Sequence, residues 1–235
     1  MNLVLLEYED FIREDRVRIH GRRLEHVLKV HRTTVGNELR VGVIGGKTGV
    51  GRIDQLDDQA LEMTVRFEAE PPEPLPVRLI LALPRPKVLN RTIAAAVSMG
   101  IREIDLINAW RVEKAYWGSP KVSAENLRMQ AILGLEQAGD TILPNIRLHR
   151  LFVPFVRKEL AESLGNRLAL VADPGGETPC PCAVTKPVVL AIGPEGGFIE
   201  QELGTFREIG FTTVNLGQRI LRVETALAYL VGRLF

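Results

Sequence analysis

The chain has little cysteine, little net charge and no long apolar run, and each shortage removes a class of protein. Only two cysteines occur in 235 residues, Cys180 and Cys182, separated by Pro181. Two thiols in a proline-rich loop make no disulfide framework. A zinc site would need about four ligands, and none of the four histidines lies nearby in sequence. Reduced loop thiols and no metal are therefore expected. No apolar run approaches the roughly 20 residues of a membrane-spanning helix. The first residues, Met1-Asn2-Leu3-Val4-Leu5-Leu6-Glu7, are too briefly apolar and lack the basic lead of a signal peptide. A cytoplasmic protein with no membrane partner is expected. The net charge of +1 does not mark a nucleic-acid binder, although seven Lys or Arg against three acids between Arg13 and Arg32 could neutralise phosphates or simply form a solvated face.

Familiar catalytic and phosphate motifs are missing too. No loop reads G-x-G-x-x-G. Gly45-Gly46-Lys47-Thr48 resembles the end of a P-loop, but Val41 stands where the first glycine is required and a strand pattern follows, so a hairpin turn is expected. There is no G-x-S-x-G elbow and no H-E-x-x-H. Any chemistry must use other groups.

A proline cluster, Pro71-Pro72-Glu73-Pro74-Leu75-Pro76, divides the chain into residues 1–70, a linker over 71–76, and residues 77–235. Four prolines in six residues forbid helix and favour a stiff connector. Before the linker, strand patterns over 16–20, 38–44, 49–55 and 60–67 and one short helix over 24–30 suggest a small β-barrel. After it, strands over 77–83, 103–108, 146–149, 167–172, 187–192 and 212–216 alternate with helices over 88–99, 124–138, 155–164, 201–209 and 223–235. This alternation implies an α/β domain with a mainly parallel sheet covered on both faces.

Three strand ends of that sheet carry glycine: Asp173-Pro174-Gly175-Gly176, Gly193-Pro194-Glu195-Gly196-Gly197, and Leu216-Gly217-Gln218-Arg219-Ile220-Leu221-Arg222. Glycine at a strand-to-helix turn exposes main-chain N–H groups and admits a ligand close to the backbone. Parallel strands bring such loops to one sheet edge, where open α/β folds bind ligands. The chemistry available there is backbone groups, Glu195, Arg222, Glu224 and Thr225. Glu224 and Thr225 also suit the first turn of a helix for structural reasons, whereas Arg222, just before an apolar helix, is harder to explain structurally.

The segments Leu190-Ala191-Ile192-Gly193-Pro194-Glu195-Gly196-Gly197-Phe198 and Leu216-Gly217-Gln218-Arg219-Ile220-Leu221-Arg222-Val223-Glu224-Thr225-Ala226 resemble the paired C-terminal motifs of the ribosomal RNA small subunit methyltransferase E family, of the SPOUT superfamily. His26-Val27-Leu28-Lys29-Val30 and Leu135-Glu136-Gln137-Ala138-Gly139 are similar to further segments of that family. The resemblance implies a PUA-like β-barrel followed by an α/β domain tied in a trefoil knot. It implies methylation of uridine N3 in 16S rRNA by S-adenosylmethionine, and a homodimer packed through the final helix. Carried over by position, the cofactor pocket comprises Gly193, Gly196, Gly197, Leu216, Gly217, Ile220, Leu221 and Arg222. Arg222 would stabilise the uracil anion, with Glu195 or Glu224 assisting proton removal, and Arg22, Arg23 and Lys29 would grip the RNA backbone.

The chain departs from the family pattern in the segments expected to face RNA. Ala94–Gly100 replaces a lysine and a Glu-Leu-Gly, Asn108-Ala109-Trp110-Arg111 stands for Ser-Glu-Arg, and Gly139-Asp140-Thr141 stands for Gly-Arg-Asn. Asp140 in place of a base would repel phosphate. A methyltransferase acting on another RNA such as tRNA, or a non-catalytic RNA-binding relative, are the alternatives.

Overall fold

The computed structural model describes residues 2–31 and 33–235 and divides into two compact units, Met1–Glu73 with Ala131–Leu143, and Pro74–Gln130 with Pro144–Phe235. Arg32, at the end of the basic stretch, lies outside the described residues.

The first unit is built on a six-stranded sheet in the order β1-β4-β5-β6-β3-β2. Its strands are β1 Val4–Leu6, β2 Phe11–Arg13, β3 Arg16–Ile19, β4 Glu38–Val43, β5 Thr48–Leu56 and β6 Leu61–Ala69. β1 pairs parallel to β4 and the remaining neighbours are antiparallel. Among the described residues no pairing joins β1 to β2, so the hydrogen-bonded sheet is open where a closed barrel was expected. Alternation puts Val17, Ile19, Val41, Ile53, Leu61 and Met63 into one core, covered by Leu24 and Val27. The Gly45-Gly46 segment is the turn between β4 and β5, with Gly45 at φ +75°. At the bulge in β5, a Cβ on Gly49 would collide with the Arg66 carbonyl oxygen, so only glycine fits there. The short helix starts at Gly21 and continues beyond His26 in wider π-type turns over Val27–His31.

Residues 131–143, which a division at the proline cluster leaves in the second half, pack into this first unit. The Glu136 carbonyl accepts from the amides of Asn2 and Leu3, and the Gly45 amide donates to the Thr141 carbonyl at 2.9 Å.

The second unit carries a fully parallel seven-stranded sheet in the order β11-β13-β10-β12-β7-β8-β9. The strands are β7 Val77–Ala82, β8 Glu103–Ile107, β9 Asn145–His149, β10 Leu168–Ala172, β11 Thr178–Pro179, β12 Val188–Ile192 and β13 Thr212–Asn215. β7 and β12 are buried along their whole length, as central strands covered on both faces must be. The chain steps outward from β7 through β8 and β9, crosses to lay down β10, and then places β12 between β7 and β10. This reversal beside β7 is a topological switch point, where open parallel sheets hold ligands beyond the carboxyl ends of their strands.

The helices follow the expected pattern with small displacements. The helix Pro86–Ser98 begins two residues before position 88, because proline at the first helical position is preorganised and lacks only an N–H that would go unused. Gly100, at φ +83°, closes it as expected. Ser123 Oγ accepts from the Asn126 amide at 3.2 Å, capping Ala124–Ala138. Cys180 is buried and Cys182 exposed, and both are free. Burial pushes the Cys180 thiol pKa up, against the weaker pull of Arg233. No group of three or more potential metal ligands occurs among the described residues, and no described helix is long and apolar enough to cross a membrane.

Candidate functional site

The three glycine-bearing strand ends of β10, β12 and β13 converge on one cavity. Hydrogen bonds within and between the loops fix its rim. Asp173 Oδ1 accepts from the Gly175 amide at 2.8 Å, Asn215 Oδ1 from the Gly217 amide at 3.1 Å, and Asn215 Nδ2 reaches across to the Gly176 carbonyl at 2.6 Å. The Gly193–Gly197 turn closes on itself through Gly197 N–H to the Pro194 carbonyl at 2.7 Å, with Gly197 at φ +73°. A Cβ at Gly193 would lie 3.0 Å from the Phe198 nitrogen and 3.1 Å from the Gly197 Cα, backbone atoms that cannot swing aside. The Arg111 guanidinium donates to the Gly196 carbonyl from outside, and the Arg85 amide donates to Glu195 Oε1 at 3.1 Å.

The cavity contains most of the residues singled out in the sequence. Gly193, Gly197, Leu216, Gly217, Ile220 and Leu221 line it, as does the carboxylate-bearing Glu195. Gly196 lines an adjoining depression with Arg111, Glu195 and Ile220. Arg222 is not among the lining residues. It occupies the N-cap of the helix Val223–Leu234, with an exposed side chain and its carbonyl accepting from the Ala226 amide at 2.7 Å. Glu224 sits in the first turn of that helix, 3.5 Å from the Arg91 guanidinium. The arginine that does line the cavity is Arg219. Sequence reasoning chose Arg222 and passed over Arg219, because both lie in one short irregular segment where no periodicity assigns a direction. Asp173 lines the cavity beside Pro174, and the strand-end Asp-Pro-Gly-Gly was the signal for it.

The three basic residues expected to grip RNA each have an acid partner. Arg23 forms a two-pronged pair with buried Asp10 (Nη2 to Oδ1 2.7 Å) and donates to the Leu5 carbonyl at 2.8 Å. Arg22 pairs with buried Glu136 through both of its terminal nitrogens, at 2.7 and 2.8 Å. Lys29 is exposed, 3.2 Å from exposed Glu25 one helical turn away.

Asp140 requires a correction. Expected on an RNA-facing surface, it is 3% exposed, and its Oδ1 accepts from the Thr141 amide at 2.6 Å and the Ile142 amide at 3.1 Å. Its carboxylate stabilises the turn after the helix Ala124–Ala138 by binding main-chain donors, so it presents no charge to a polyanion. Ser98 likewise returns its hydroxyl to the Ala95 carbonyl. Trp110, by contrast, is 79% exposed.

A second polar cluster is built into the sheet away from the cavity. Asp105 on β8 is fully buried and accepts from Arg78 Nε at 2.7 Å, Arg147 Nε at 2.8 Å and His149 Nε2 at 2.8 Å. Burial alone would raise its pKa. The hydrogen bonds from Arg78 and Arg147, the Arg78 charge and the His149 contact together outweigh burial and hold it below the usual carboxylate value. Arg78 passes the network on to Ser163 Oγ at 2.6 Å.

Comparison with known proteins places this architecture. Residues 71–234 match the RNA methyltransferase domain model. The chain is 31% identical over 237 residues to the ribosomal RNA small subunit methyltransferase E of Treponema pallidum, covering 96% of this chain and 87% of that protein. Against the methyltransferase E 1 of Borreliella burgdorferi it is 23% identical, covering 96% and 94%. Among solved structures, the methyltransferase E of Neisseria gonorrhoeae bound to S-adenosyl methionine superposes with a TM-score of 0.74 at 20% identity, covering 98% of this chain and 96% of that one. A methyltransferase of Legionella pneumophila in complex with the same cofactor gives 0.73 at 20% identity, covering 98% and 95%. With a matching domain model over most of its length and a full-length relative at this identity, the chain belongs to the ribosomal RNA small subunit methyltransferase E family.

Proposed function

We propose that this protein transfers a methyl group from S-adenosylmethionine to N3 of a uridine in the 16S rRNA of the small ribosomal subunit. The observation that carries the reading is the convergence of three glycine-bearing parallel strand ends on one cavity, in a chain of this family. The cavity suits the cofactor. Ile192, Leu216, Leu221 and Ala226 offer apolar walls to an adenine, the main chain is bared at Gly193 and Gly217, and Glu195 and Asp173 supply acceptors for ribose or ammonium groups. The solved relatives from Neisseria gonorrhoeae and Legionella pneumophila carry S-adenosylmethionine.

When bound, that cofactor supplies a methyl carbon already activated by a sulfonium, so the protein's main task is alignment. Uracil N3 carries a proton that must leave, and the developing anion must be stabilised. Arg222 takes the second role in this proposal, because its guanidinium is exposed at the start of the final helix, beside the cavity-lining Leu221 and Val223. The proton-accepting role falls to Glu195, which lines the cavity, before Glu224, which is paired with Arg91. Gly196, one step outside the cavity, shapes the loop.

The finer architecture belongs to the same proposal. The first unit acts as a PUA-like module holding RNA through Arg22, Arg23 and Lys29. Lys29 keeps its charge most open to phosphate, while Arg22 and Arg23 are already held by Glu136 and Asp10. The C-terminal segment, whose β12 enters between strands laid down earlier, is threaded as a trefoil knot. The protein works in the cytoplasm as a homodimer.

The direct test is transfer of labelled methyl to undermethylated small ribosomal subunits, with the product nucleoside identified by mass spectrometry. N3-methyluridine in 16S rRNA is expected. Label appearing only in tRNA would overturn the substrate, and cofactor binding without label in any RNA would overturn the catalytic reading.

A further inference from the structure

Ile220 and Trp110 are the two most exposed large apolar side chains among the described residues, at 82% and 79%. Ile220 stands where the cofactor cavity meets the depression beside it, and Trp110 walls the next depression along the surface. The cofactor cavity shares Glu195, Gly197 and Ile220 with the depression beside it. That depression shares Ile199 with a larger one, walled by Trp110, Phe152, Val153 and Lys114. Both depressions lie at the start of the helix Glu200–Glu208.

Trp110 is held firmly at its far end. Its amide donates to Glu202 Oε1 at 2.7 Å, and the other oxygen of that buried carboxylate takes the Ile199 amide at 3.0 Å. The Val112 amide closes a tight turn on the Ala109 carbonyl at 3.0 Å. The neighbouring Arg111 is tied to the Gly196 carbonyl of the cavity loop. The backbone is thus pinned from both sides, yet no hydrogen bond or ring contact among the described residues engages the indole itself. Glu202 spends its charge on two amides, leaving Lys114 as the free charge lining the depression around Trp110, while the adjoining depression carries Arg111 beside Asp173, Glu195 and Glu200.

A bare aromatic face on a pinned backbone, with Lys114 in the same depression and the methyl-donor pocket beyond the next one, matches the chemistry of an unpaired nucleotide, whose base stacks on a π-face while a phosphate meets the lysine. We propose that Trp110 is a stacking platform for an unpaired base of the RNA substrate, positioning the strand so that the neighbouring uridine is directed toward the cavity. The proposal rests on the methyltransferase reading, and Trp110 is a positioning residue in it.

The test combines fluorescence and kinetics. The chain has two tryptophans, and Trp117 is nearly buried with its Nε1 on Asn108, so Trp110 is the reporter that a short oligouridylate can reach. Quenching of the wild type is expected, and W110F, which keeps only Trp117, should lose it. With undermethylated small subunits, W110A should raise KM roughly tenfold while kcat and S-adenosylmethionine affinity stay near wild type, and W110F should recover most of the loss. Unchanged KM and unchanged oligouridylate affinity in W110A would overturn the proposal. So would loss of self-association in W110A with RNA affinity intact, which would mean that a second copy covers the indole. Quenching that depends on Trp110 in a protein that methylates no RNA would keep the platform and overturn the methyltransferase reading instead.

Discussion

At the scale of single residues, the candidate site separates groups that must be small from groups that must be charged. Gly193 belongs to the first kind. Its missing Cβ leaves the space that backbone at Phe198 and Gly197 would otherwise contest at 3.0–3.2 Å, and overpacking against backbone costs roughly 1–3 kcal/mol. Gly193→Ala should therefore weaken S-adenosylmethionine binding about tenfold or more, measured by calorimetry, with the thermal midpoint lowered only modestly. In the proposed mechanism Arg222 and Arg219 belong to the second kind. Arg219 lines the cavity while Arg222 caps the adjoining helix, so their alanine variants should divide the work. Arg222→Ala should lower kcat by roughly a hundredfold or more, as loss of a charge-stabilising donor does, with cofactor affinity retained. Arg219→Ala should act on cofactor binding first. Reversal of that pattern in single-turnover and binding measurements would exchange the two assignments. Asp140 carries the opposite lesson: a residue that reads as a charge on a surface is a buried acceptor for two amides, a role set by a turn that no residue spacing announces.

Elements that repeat were legible and elements that depend on a distant partner were not. Strands such as Val188–Ile192, and Val77–Ala82 with Arg78 as its one polar residue, each followed by glycine or proline and then a helical period, declare a buried parallel sheet. The three loops gather because parallel strands all end on the same side. Val4–Leu6 was missed as a strand, since three apolar residues carry no period of their own and acquire an identity only by pairing with β4. The same holds for Ala131–Leu143, a helix end that joins the first unit through Glu136 and Thr141. The Arg78–Asp105–Arg147–His149 network was equally invisible, being made by register between β7, β8 and β9. Removing its centre should be costly. Asp105→Ala leaves Arg78, with 5% of its side chain exposed, as an unpaired buried cation, a change worth about 3–5 kcal/mol and a fall in Tm of roughly 6–20 °C at this size. Because the folded pKa of Asp105 lies below the ordinary carboxylate value, its contribution is complete above that ordinary value and lost as pH falls through the folded pKa. The gap in stability between wild type and Asp105→Ala should thus be constant from about pH 5 to 8 and shrink only in stronger acid. A gap that already narrows between pH 7 and 5 would assign the effect to another group.

For the whole molecule, the proposed homodimer turns on one face of the final helix. Val223, Leu227, Leu230, Val231 and Leu234 are buried within the subunit. The exposed positions Thr225, Ala228, Tyr229 and Gly232 recur at helical spacing, with Phe235 directly beyond the helix end, and Tyr229 and Phe235 remain 47% and 42% exposed. Small residues along such a stripe allow a second helix to approach closely, and the two aromatic rings supply apolar area at its edge. Stable dimers bury about 1,600 Å² in total, so this helix needs neighbouring surface to complete the contact, and exposed Ile220 next to it is available. Sedimentation at micromolar concentration should give a species of twice 26.1 kDa. Ala228→Arg places a charge in the middle of the stripe at an exposed position that the subunit does not use for its own core, so it should shift the protein to monomer while leaving the circular dichroism spectrum and thermal midpoint of the subunit nearly unchanged. A wild-type monomer at that concentration, or a dimer that tolerates arginine at position 228, would move the interface off this helix, and the exposed stripe would then need another occupant.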